Sequence, residues 1–336
     1  MYGKEISNMS ERKVIALVGA GNIGSRHLQA LANVDTPLQI YVIDPNKDSL
    51  SLADERFRQI DNSDVHNVIF GENIDIIPKA VDMAIIATSS GPRLNIITEF
   101  LSKTECKKMV LEKFLFNREE DFYRAREIFE KYNVSVWVNT TYRAIPFYKK
   151  LAEHLSDARY LNMLVTGGKW GLACNGIHHL DLYNMLLADS EELEARNSGL
   201  DNVIYKSKRD GYIEFNGTVS FVGSKGSLTL TCIHDSDCPM ITSIHSDKGF
   251  FEIIESNDEC RYRIAEDGYE LKSCEVGNLP TSVAMTGIYS DILDYGKCDL
   301  PVFDISMKAH LVFLKTLLEK ENMITGDLEN DVCQIT

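Results

Sequence analysis

The sequence predicts an α/β protein in which a doubly wound parallel sheet is followed by a second domain with a mostly antiparallel sheet. Short apolar stretches alternate with helical ones over 13–138, the pattern of parallel strands joined by helices. Over 203–275, apolar and polar residues alternate between turn signals, which is typical of a half-exposed antiparallel sheet. The pattern changes near residue 143, so the predicted domains are 1–143 and 144–336.

The composition argues against several classes of function. The chain has 336 residues, and its 35 basic and 50 acidic residues give a formal net charge of −15. Nucleic acids bind basic surfaces, so this acidity argues against a nucleic-acid partner but leaves open an anionic small molecule. No apolar stretch reaches the ~20 residues of a membrane helix, and the N-terminus lacks a signal-peptide core. The eight cysteines form no Cys-x-x-Cys pair, which predicts no metal site. We therefore expect a cytoplasmic protein without a membrane partner.

Each apolar stretch of the first domain suits a buried strand. The first strand, 13–18, is apolar on both faces and rich in β-branched residues, as in a parallel strand covered by helices. Further strands are predicted at 38–43, 81–88, 109–112 and 134–138, and helices at 25–33, near 93–103 and at 118–132.

The second domain is predicted to combine helices with the antiparallel sheet. A helix at 147–154, a strand at 160–166, a glycine-rich loop at 167–171 and a helix from about Gly176 precede the sheet, and helices near 281–296 and 303–320 follow it. The polar tail, 321–336, is expected to be loose.

Three glycines directly after the first strand form the motif Gly19-x-Gly21-x-x-Gly24. Gly19 permits a tight turn, Gly21 leaves room for a pyrophosphate, and Gly24 lets the helix approach the sheet. With Asn22 and Ile23 they would form a helix start whose free N–H groups suit phosphate. Because the motif lies between two strands and opens a helix, it predicts a dinucleotide-binding Rossmann domain.

The choice of dinucleotide depends on Asp44, which ends the second strand 20 residues after Gly24. An acid there can accept hydrogen bonds from both adenosine ribose hydroxyls and would repel a 2′-phosphate, so we expect NAD rather than NADP. The competing interpretation is a glycine-rich turn beside an ordinary surface aspartate. Thr88 and Ser89 follow a buried strand and would either contact the cofactor or form a solvated turn before the next helix.

Two further segments carry a resemblance to a known family. Glu112-Lys113 ends a strand, and Gly176-Ile-His178-His-Leu-Asp181 lies near a helix start. With the glycine motif they resemble the Gfo/Idh/MocA family, over residues 13 to about 318. The resemblance implies a Rossmann domain, then an α+β domain with an open, mostly antiparallel sheet through which dimers or tetramers form. It also implies NAD(P)-dependent chemistry at a hydroxyl of a sugar, cyclitol or nucleotide sugar.

In this family a strand ends in Glu-Lys-Pro, with the lysine beside nicotinamide and substrate. Glu112 and Lys113 match and are assigned to the cofactor site, but Phe114 replaces the proline. The family proline is often cis, and Phe114 disfavours that geometry because a non-proline cis bond costs ~3 kcal/mol. Lys113 would also act in catalysis, by hydrogen-bonding the reacting oxygen and stabilising alkoxide charge.

The family's second element is an aspartate, a histidine four residues later and then another aspartate. His178 and Asp181 match on the predicted opening turn of the helix, but Cys174 stands where the first aspartate is expected. His178 would exchange the hydroxyl proton, and Asp181 or another acceptor would fix its tautomer. The alternative is a structural histidine bonded to backbone, a role that suits the adjacent His179 better.

The remaining candidate substrate ligands, besides Asp181, lie near the start of the second domain. Arg143 would bind a phosphate or carboxylate of the substrate or form an interdomain ion pair. Lys169 and Trp170 suit a sugar, although an indole is as often packing. Together with Asn175 they resemble a subgroup linked to bacterial surface-polysaccharide sugar biosynthesis.

These patterns predict an NAD(H)-dependent oxidoreductase, a homo-oligomer that acts on a hydroxyl carbon of a sugar, amino sugar or nucleotide sugar. The alternative is a regulatory protein on the same fold that senses dinucleotide or sugar without turnover. Lys113 and His178 favour the enzyme, whereas Phe114 and Cys174, which depart from the family pattern, leave the regulatory alternative open.

Overall fold

The parallel sheet predicted for the first domain has six strands in the order β3-β2-β1-β5-β7-β8. The structure is a computed structural model that describes residues 12–336, so the signal-peptide prediction for the N-terminus lies outside the described residues. The elements are β1 (Lys13–Val18), α1 (Asn22–Ala32), β2 (Leu38–Ile43), α2 (Lys47–Arg58), β3 (Asn67–Gly71), β4 (Ala80–Val81), β5 (Met83–Ile86), α3 (Ser90–Lys103), β6 (Glu105–Cys106), β7 (Lys108–Glu112), α4 (Glu119–Tyr132) and β8 (Ser135–Asn139). Strands β4 and β6 pair separately.

The strand order places a ligand crevice at the carboxyl ends of β1 and β5. Strand β1 is the central strand, pairing in parallel with β2 on one side and β5 on the other. The chain runs outward through β2 and β3, and then crosses to the other side of β1. In open α/β sheets, ligands bind at such a switch point, beyond the carboxyl ends of the strands.

Helix α2 was missed in the sequence because most of its residues are polar. Only Ala53 and Phe57 are buried, so the apolar stripe is narrow. The helix is nonetheless well started, because the Asn46 side chain accepts hydrogen bonds from the N–H groups of Asp48 and Ser49.

The second domain contains an eight-stranded sheet in the order β10-β13-β14-β9-β15-β16-β17-β18. All neighbours in it are antiparallel except β9 and β14. The elements are α5 (Pro146–Leu155), β9 (Leu161–Gly168), α6 (Leu172–Leu186), β10 (Glu194–Leu200), β11 (Tyr205–Lys206), β12 (Ile213–Glu214), β13 (Gly217–Gly223), β14 (Gly226–Ile233), β15 (Ile241–Ser246), β16 (Gly249–Ile254), β17 (Glu259–Ile264), β18 (Lys272–Glu275), α7 (Thr281–Tyr295) and α8 (Phe303–Thr325). Helices α6 and α8 pack on each other, and α6 also contacts β14. Alternate residues of β9 are exposed, and Leu164 among them is 44% exposed.

Helix α7 returns from the second half of the chain to the first. It packs along α1, where the Thr286 hydroxyl donates to the Ala30 carbonyl at 3.1 Å. Its buried residues share a core with β1, β2 and α1. The boundary at residue 143 stays a prediction, with α7 lying against the Rossmann side of it.

The prediction of a loose C-terminal tail is wrong. Helix α8 continues to Thr325, and Cys333 and Ile335 are fully buried. The Cys333 N–H donates to the Asn117 carbonyl at 2.9 Å, and the Ile213 N–H donates to the Gln334 carbonyl at 2.8 Å. Two small apolar side chains therefore anchor a tail whose average composition is polar.

Candidate functional site

The three motif glycines differ in the space that surrounds them. A Cβ on Gly19, where φ is +97°, would lie 2.8 Å from the Ala87 carbonyl carbon, and a Cβ on Gly24 would lie 1.8 Å from the Gly19 oxygen. Nothing lies within 4 Å of a Cβ on Gly21. Gly19 and Gly24 are thus required for packing, whereas Gly21 faces open space at the N-terminus of α1.

Helix α1 begins at Asn22, earlier than the predicted Ser25, so Asn22 and Ile23 form its first turn. No side chain caps this turn and no acidic residue lies in it. Its N–H groups therefore point at the open space above Gly21, where a phosphate would be stabilised.

Asp44 lies just beyond β2 and holds the glycine loop. Its Oδ2 accepts from the Ala20 N–H at 2.7 Å, and its Oδ1 accepts from the Asn46 N–H at 2.9 Å. A carboxylate offers about four acceptor positions, so both oxygens can still accept from a ribose hydroxyl.

Three buried oxygens at the strand ends have no hydrogen-bond partner in the described part of the chain. They are Oγ1 of Thr88, after β5, and Oδ1 of Asn139 and Oγ1 of Thr140, at the end of β8. Buried polar atoms are rarely left unpaired, so their position fits a polar ligand in the crevice. The neighbouring Ser89 precedes α3 without a side-chain capping bond, so the structure does not give it the capping role.

Arg93 joins the loops after β5 and β7, and no sequence motif marks this residue. Its buried guanidinium donates to the carbonyls of Thr88, Phe114 and Leu115. Burial lowers the pKa of Arg93 to about 10, which leaves it charged at neutral pH. This cation fixes the backbone on both sides of the crevice.

Glu112 belongs to a buried hydrogen-bond chain that reaches α7. Its Oε1 accepts from His27 Nε2 at 2.7 Å and from the Asn139 amide, and the Tyr289 hydroxyl donates to His27 Nδ1. Burial acts to raise the pKa of Glu112, but the hydrogen bonds and the charge of Lys113 hold it below its ordinary value. His27 and Tyr289 were missed because nothing in the sequence signals a contact between residues so far apart.

Lys113 projects from the end of β7 towards α6. Its amine donates to the Cys174 carbonyl at 3.0 Å and lies 3.3 Å from the Cys174 sulfur. The residue that replaces the expected aspartate therefore contacts the candidate catalytic lysine. The Lys113–Phe114 peptide bond is cis, so the expectation drawn from Phe114 is wrong.

Helix α6 begins at Leu172, four residues before the predicted start. His178 therefore lies in the second turn, and its placement on the opening turn is wrong. Its Nδ1 is buried and has no partner among the described residues. Burial, followed by the charge of Lys113, lowers the pKa of His178 well below its ordinary value. The shift favours the neutral imidazole, whose buried Nδ1, unpaired among the described residues, is left for a ligand to engage.

The bond to backbone suggested for His179 is not found among the described residues. The His179 imidazole packs against the rings of Tyr142 and Trp170, with centroids 5.4 and 5.5 Å away. Its Nδ1 has no partner in the described structure. Burial lowers the pKa of His179 to about 3.

Arg143 and Asp181 bind each other. The Arg143 Nε and Nη2 donate to the two Asp181 oxygens at 2.8 and 2.9 Å, and the guanidinium also donates to Asp189. Both members of the first pair are buried. Asp181 consequently does not orient His178, and the arrangement favours the ion-pair alternative for Arg143.

Trp170 and Asn175 line two adjacent cavities of about 370 and 360 Å³. The first contains His178, and the second contains Cys174 and Lys169. The Trp170 indole donates to the Thr231 carbonyl at 2.8 Å, and the Asn175 amide donates to the Trp170 carbonyl at 2.7 Å. These hydrogen bonds hold Trp170 and Asn175 in place, while Lys169 pairs with exposed Asp237 at 3.0 Å.

One residue of the second cavity, Glu214, was not predicted. Its Oε1 accepts from the N–H groups of Ala173 and Phe215, and its Oε2 accepts from the Cys174 N–H at 3.4 Å. Burial raises the pKa of Glu214. Because β12 is only two residues long and carries no motif, the sequence held no signal for this contact.

Residues 13–140 match the model of the Gfo/Idh/MocA oxidoreductase family, described as an NAD-binding Rossmann fold. The first domain belongs to the Gfo/Idh/MocA family. The predicted dinucleotide-binding Rossmann domain and the expected cofactor, NAD, are thereby confirmed. The open space at Gly21 and the unpaired oxygens at the strand ends fit an NAD molecule lying across this Gfo/Idh/MocA domain.

Solved structures share the fold along almost the whole chain. UDP-N-acetylglucosamine 3-dehydrogenase GnnA from Acidithiobacillus ferrooxidans is 13% identical, with a TM-score of 0.67 over 93% of this chain and 99% of that one. An oxidoreductase from Agrobacterium radiobacter, solved with NAD⁺, L-tartaric acid and magnesium, is 13% identical, with a TM-score of 0.69 over 94% and 100%. The transcriptional regulator Gal80p from Kluyveromyces lactis is 14% identical, with a TM-score of 0.68 over 94% and 90%.

At these identities the likeness establishes the two-domain fold and leaves the activity to the site. No curated protein sequence matches the chain. No helix of residues 12–336 is long and apolar enough to cross a membrane. The same range contains no group of three or more histidine, cysteine or acidic side chains placed to hold a metal ion.

Proposed function

We propose that this Gfo/Idh/MocA protein is an NAD(H)-dependent oxidoreductase that acts on a hydroxyl carbon of a sugar, amino sugar or nucleotide sugar. The observation that carries the proposal is the meeting of Lys113 with the first turns of α6. Its amine comes from the strand end that borders the dinucleotide crevice, and it reaches the helix that carries His178. NAD, when bound, supplies the hydride acceptor or donor.

Lys113 and His178 have complementary roles in this proposal. Lys113 donates a hydrogen bond to the reacting oxygen and stabilises the charge that develops on it. His178, neutral and with an unpaired ring nitrogen, takes up the hydroxyl proton or returns it. Trp170 and Asn175, which line both cavities, contact the sugar, and Lys169 lies at the rim of the second cavity.

Asp44 selects NAD over NADP in the proposed enzyme. Its Oδ2 holds the glycine loop, and both oxygens can still accept from ribose hydroxyls, whereas a 2′-phosphate would place like charges together. We expect Asp44→Asn to bind NADH more weakly and to reduce its preference over NADPH by about tenfold, measured by fluorescence titration with both cofactors. Tighter binding of NADPH than of NADH to the unaltered protein would contradict the role given to Asp44.

The deciding experiment is a panel of sugars, amino sugars and nucleotide sugars mixed with the protein and NAD⁺, followed at the absorbance band of reduced nicotinamide. We expect turnover with one chemical subset and none with His178→Gln. NADH binding without turnover of any member would overturn the proposed activity on these three classes of sugar.

That outcome would favour a regulatory protein that senses dinucleotide or sugar. Two observations support this second candidate: the fold is shared with the regulator Gal80p, and Cys174 occupies the place of an expected aspartate. The regulatory function ranks second because the chain has both Lys113 and His178, which the proposed reaction needs.

A homodimer or homotetramer formed through the open sheet face is also part of the proposal. Leu164 on β9 and Phe250 on β16 are exposed there by 44% and 41%. Light scattering of the unaltered protein tests it, and a monomer at micromolar concentration would contradict it.

A further inference from the structure

The cavity of about 360 Å³ beside Trp170 contains a single carboxylate in the part of the chain that the structure describes, that of Glu214. Glu214 lies on β12, which is distant in sequence from the family motifs. Its oxygens accept from the first N–H groups of α6, at Ala173 and Cys174. A helix N-terminus stabilises negative charge, so the carboxylate is held at a fixed place.

Position 174 connects this carboxylate to Lys113. The Cys174 N–H binds Glu214, while the carbonyl and sulfur of the same residue contact the Lys113 amine. The thiol is a weak hydrogen-bond acceptor, so the amine keeps donors for a stronger partner. Burial raises the pKa of Glu214, and its backbone bonds and the charge of Lys113 act in the opposite direction.

The other candidate carboxylates near the site are already engaged. Asp181 binds the buried Arg143, and Glu112 binds His27 and Asn139. In the neighbouring cavity, Glu255 accepts from the Tyr148 hydroxyl at 2.6 Å. Glu214 differs from these three because, in the described structure, it accepts only from backbone N–H groups and lies in the cavity that contains Cys174.

We propose that Glu214 is a substrate-binding residue that accepts a hydrogen bond from a sugar hydroxyl held beside the Lys113 amine. It thereby supplies from β12 the carboxylate that α6 lacks at Cys174. The inference deepens the proposed function and rests on it for the identity of the ligand, a polyhydroxylated compound. Lys206, Lys208 and His234 line the same cavity, so the hydroxyl would approach between a cationic rim and this acid.

The first test needs no turnover. Alkylation of Cys174 by iodoacetate and by iodoacetamide in the unliganded protein is followed by peptide mass spectrometry. A carboxylate repels an anionic reagent, so Glu214→Gln should raise the alkylation rate with iodoacetate, relative to iodoacetamide, several-fold, and Glu252→Gln, at an exposed position on β16, should match the unaltered protein. An unchanged ratio of the two rates in Glu214→Gln would overturn the placement of the carboxylate, whatever the panel of sugars shows.

The second test uses the best substrate from the panel. Glu214→Gln should lower kcat/KM by about tenfold or more, mainly through KM, because a charged acceptor is replaced by a neutral amide. Adding Cys174→Asp should restore much of the loss, since a side chain at 174 contacts Lys113 directly. A merely structural glutamate would not be rescued from another element, so absence of rescue with normal thermal unfolding would overturn the role. If the panel yields no substrate, the alkylation result decides the geometry and the proposed function falls separately.

Discussion

Arg143 and Lys113 are both cations near the junction of the two domains, but their surroundings differ. The Arg143 guanidinium is satisfied by two carboxylates and is buried. The Lys113 amine contacts one carbonyl oxygen and one sulfur, and is half-buried. Arg143 is therefore committed to structure, whereas Lys113 can exchange its partners for a ligand.

Lys113→Ala tests this distinction from the side of the reaction. We expect kcat to fall by about 10²-fold or more, because the hydrogen bond to the developing charge is lost. NADH affinity should change little, since the glycine loop and Asp44 remain. Stopped-flow turnover and fluorescence titration provide the two numbers, and an unchanged rate would remove Lys113 from the mechanism.

Arg143→Met tests it from the side of stability. Asp181 would be left buried without its partner, so we expect the free energy of unfolding to fall by about 3–5 kcal/mol. The matched control is Arg159→Met, whose side chain is 85% exposed and pairs with Asp247. That change should leave the free energy of unfolding almost unaltered, because solvent screens an exposed ion pair. Equal losses in urea denaturation would show that the Arg143 pair is not the buried structural pair described above.

At the scale of elements, the β1–α1 turn separates packing from ligand binding within one motif. Gly24 lies where helix and loop touch, and Gly21 lies where they leave a gap. The two positions therefore form a natural pair of variants.

Gly24→Ala should destabilise the protein by about 1–3 kcal/mol, because its methyl group would meet the Gly19 carbonyl oxygen. Gly21→Ala should cost less than about 1 kcal/mol and yet weaken NADH binding by about tenfold or more. Thermal unfolding and cofactor titration on both variants measure this. Strong NADH binding by Gly21→Ala would mean that the dinucleotide does not cross this turn.

The strands, helices and long-range contacts differ in how well the sequence predicts them. The strands β1, β2 and β7 were predicted because fully buried strands are continuous apolar runs, and the glycine motif predicted the Rossmann domain that the family match confirms. Helix α2 was not predicted because its apolar stripe is narrow. Helix α6 begins before its predicted first residue because Glu214, on a strand distant in sequence, accepts a hydrogen bond from its first turn. Contacts such as His27 with Tyr289 depend on tertiary packing, which no local pattern encodes.

For the whole molecule, buried histidines connect stability to pH. Burial lowers the pKa values of His179 and His310 to about 3, from 6.5. Below about pH 6.5 the unfolded chain takes up protons that the folded chain refuses. These groups therefore stabilise the fold fully above that pH, and the stabilisation is lost as the pH falls towards 3.

We expect the free energy of unfolding to fall between pH 6.5 and about pH 5 by on the order of 1–2 kcal/mol per buried histidine. His310, which packs against Phe114 with ring centroids 4.7 Å apart, provides the variant. His310→Gln should reduce the loss of unfolding free energy between the two pH values by the amount expected for one buried histidine. Urea denaturation at both pH values measures this loss. A slope identical to that of the unaltered protein would assign the effect to other groups.

The return of α7 to α1 makes the dinucleotide-binding unit discontinuous in sequence. Excising residues 13–143 would strip a covering helix from α1 and remove the phenol that partners His27. A minimal unit that folds alone would need that helix grafted back through a linker. A Rossmann half transferred as a single continuous cassette would lack the same helix.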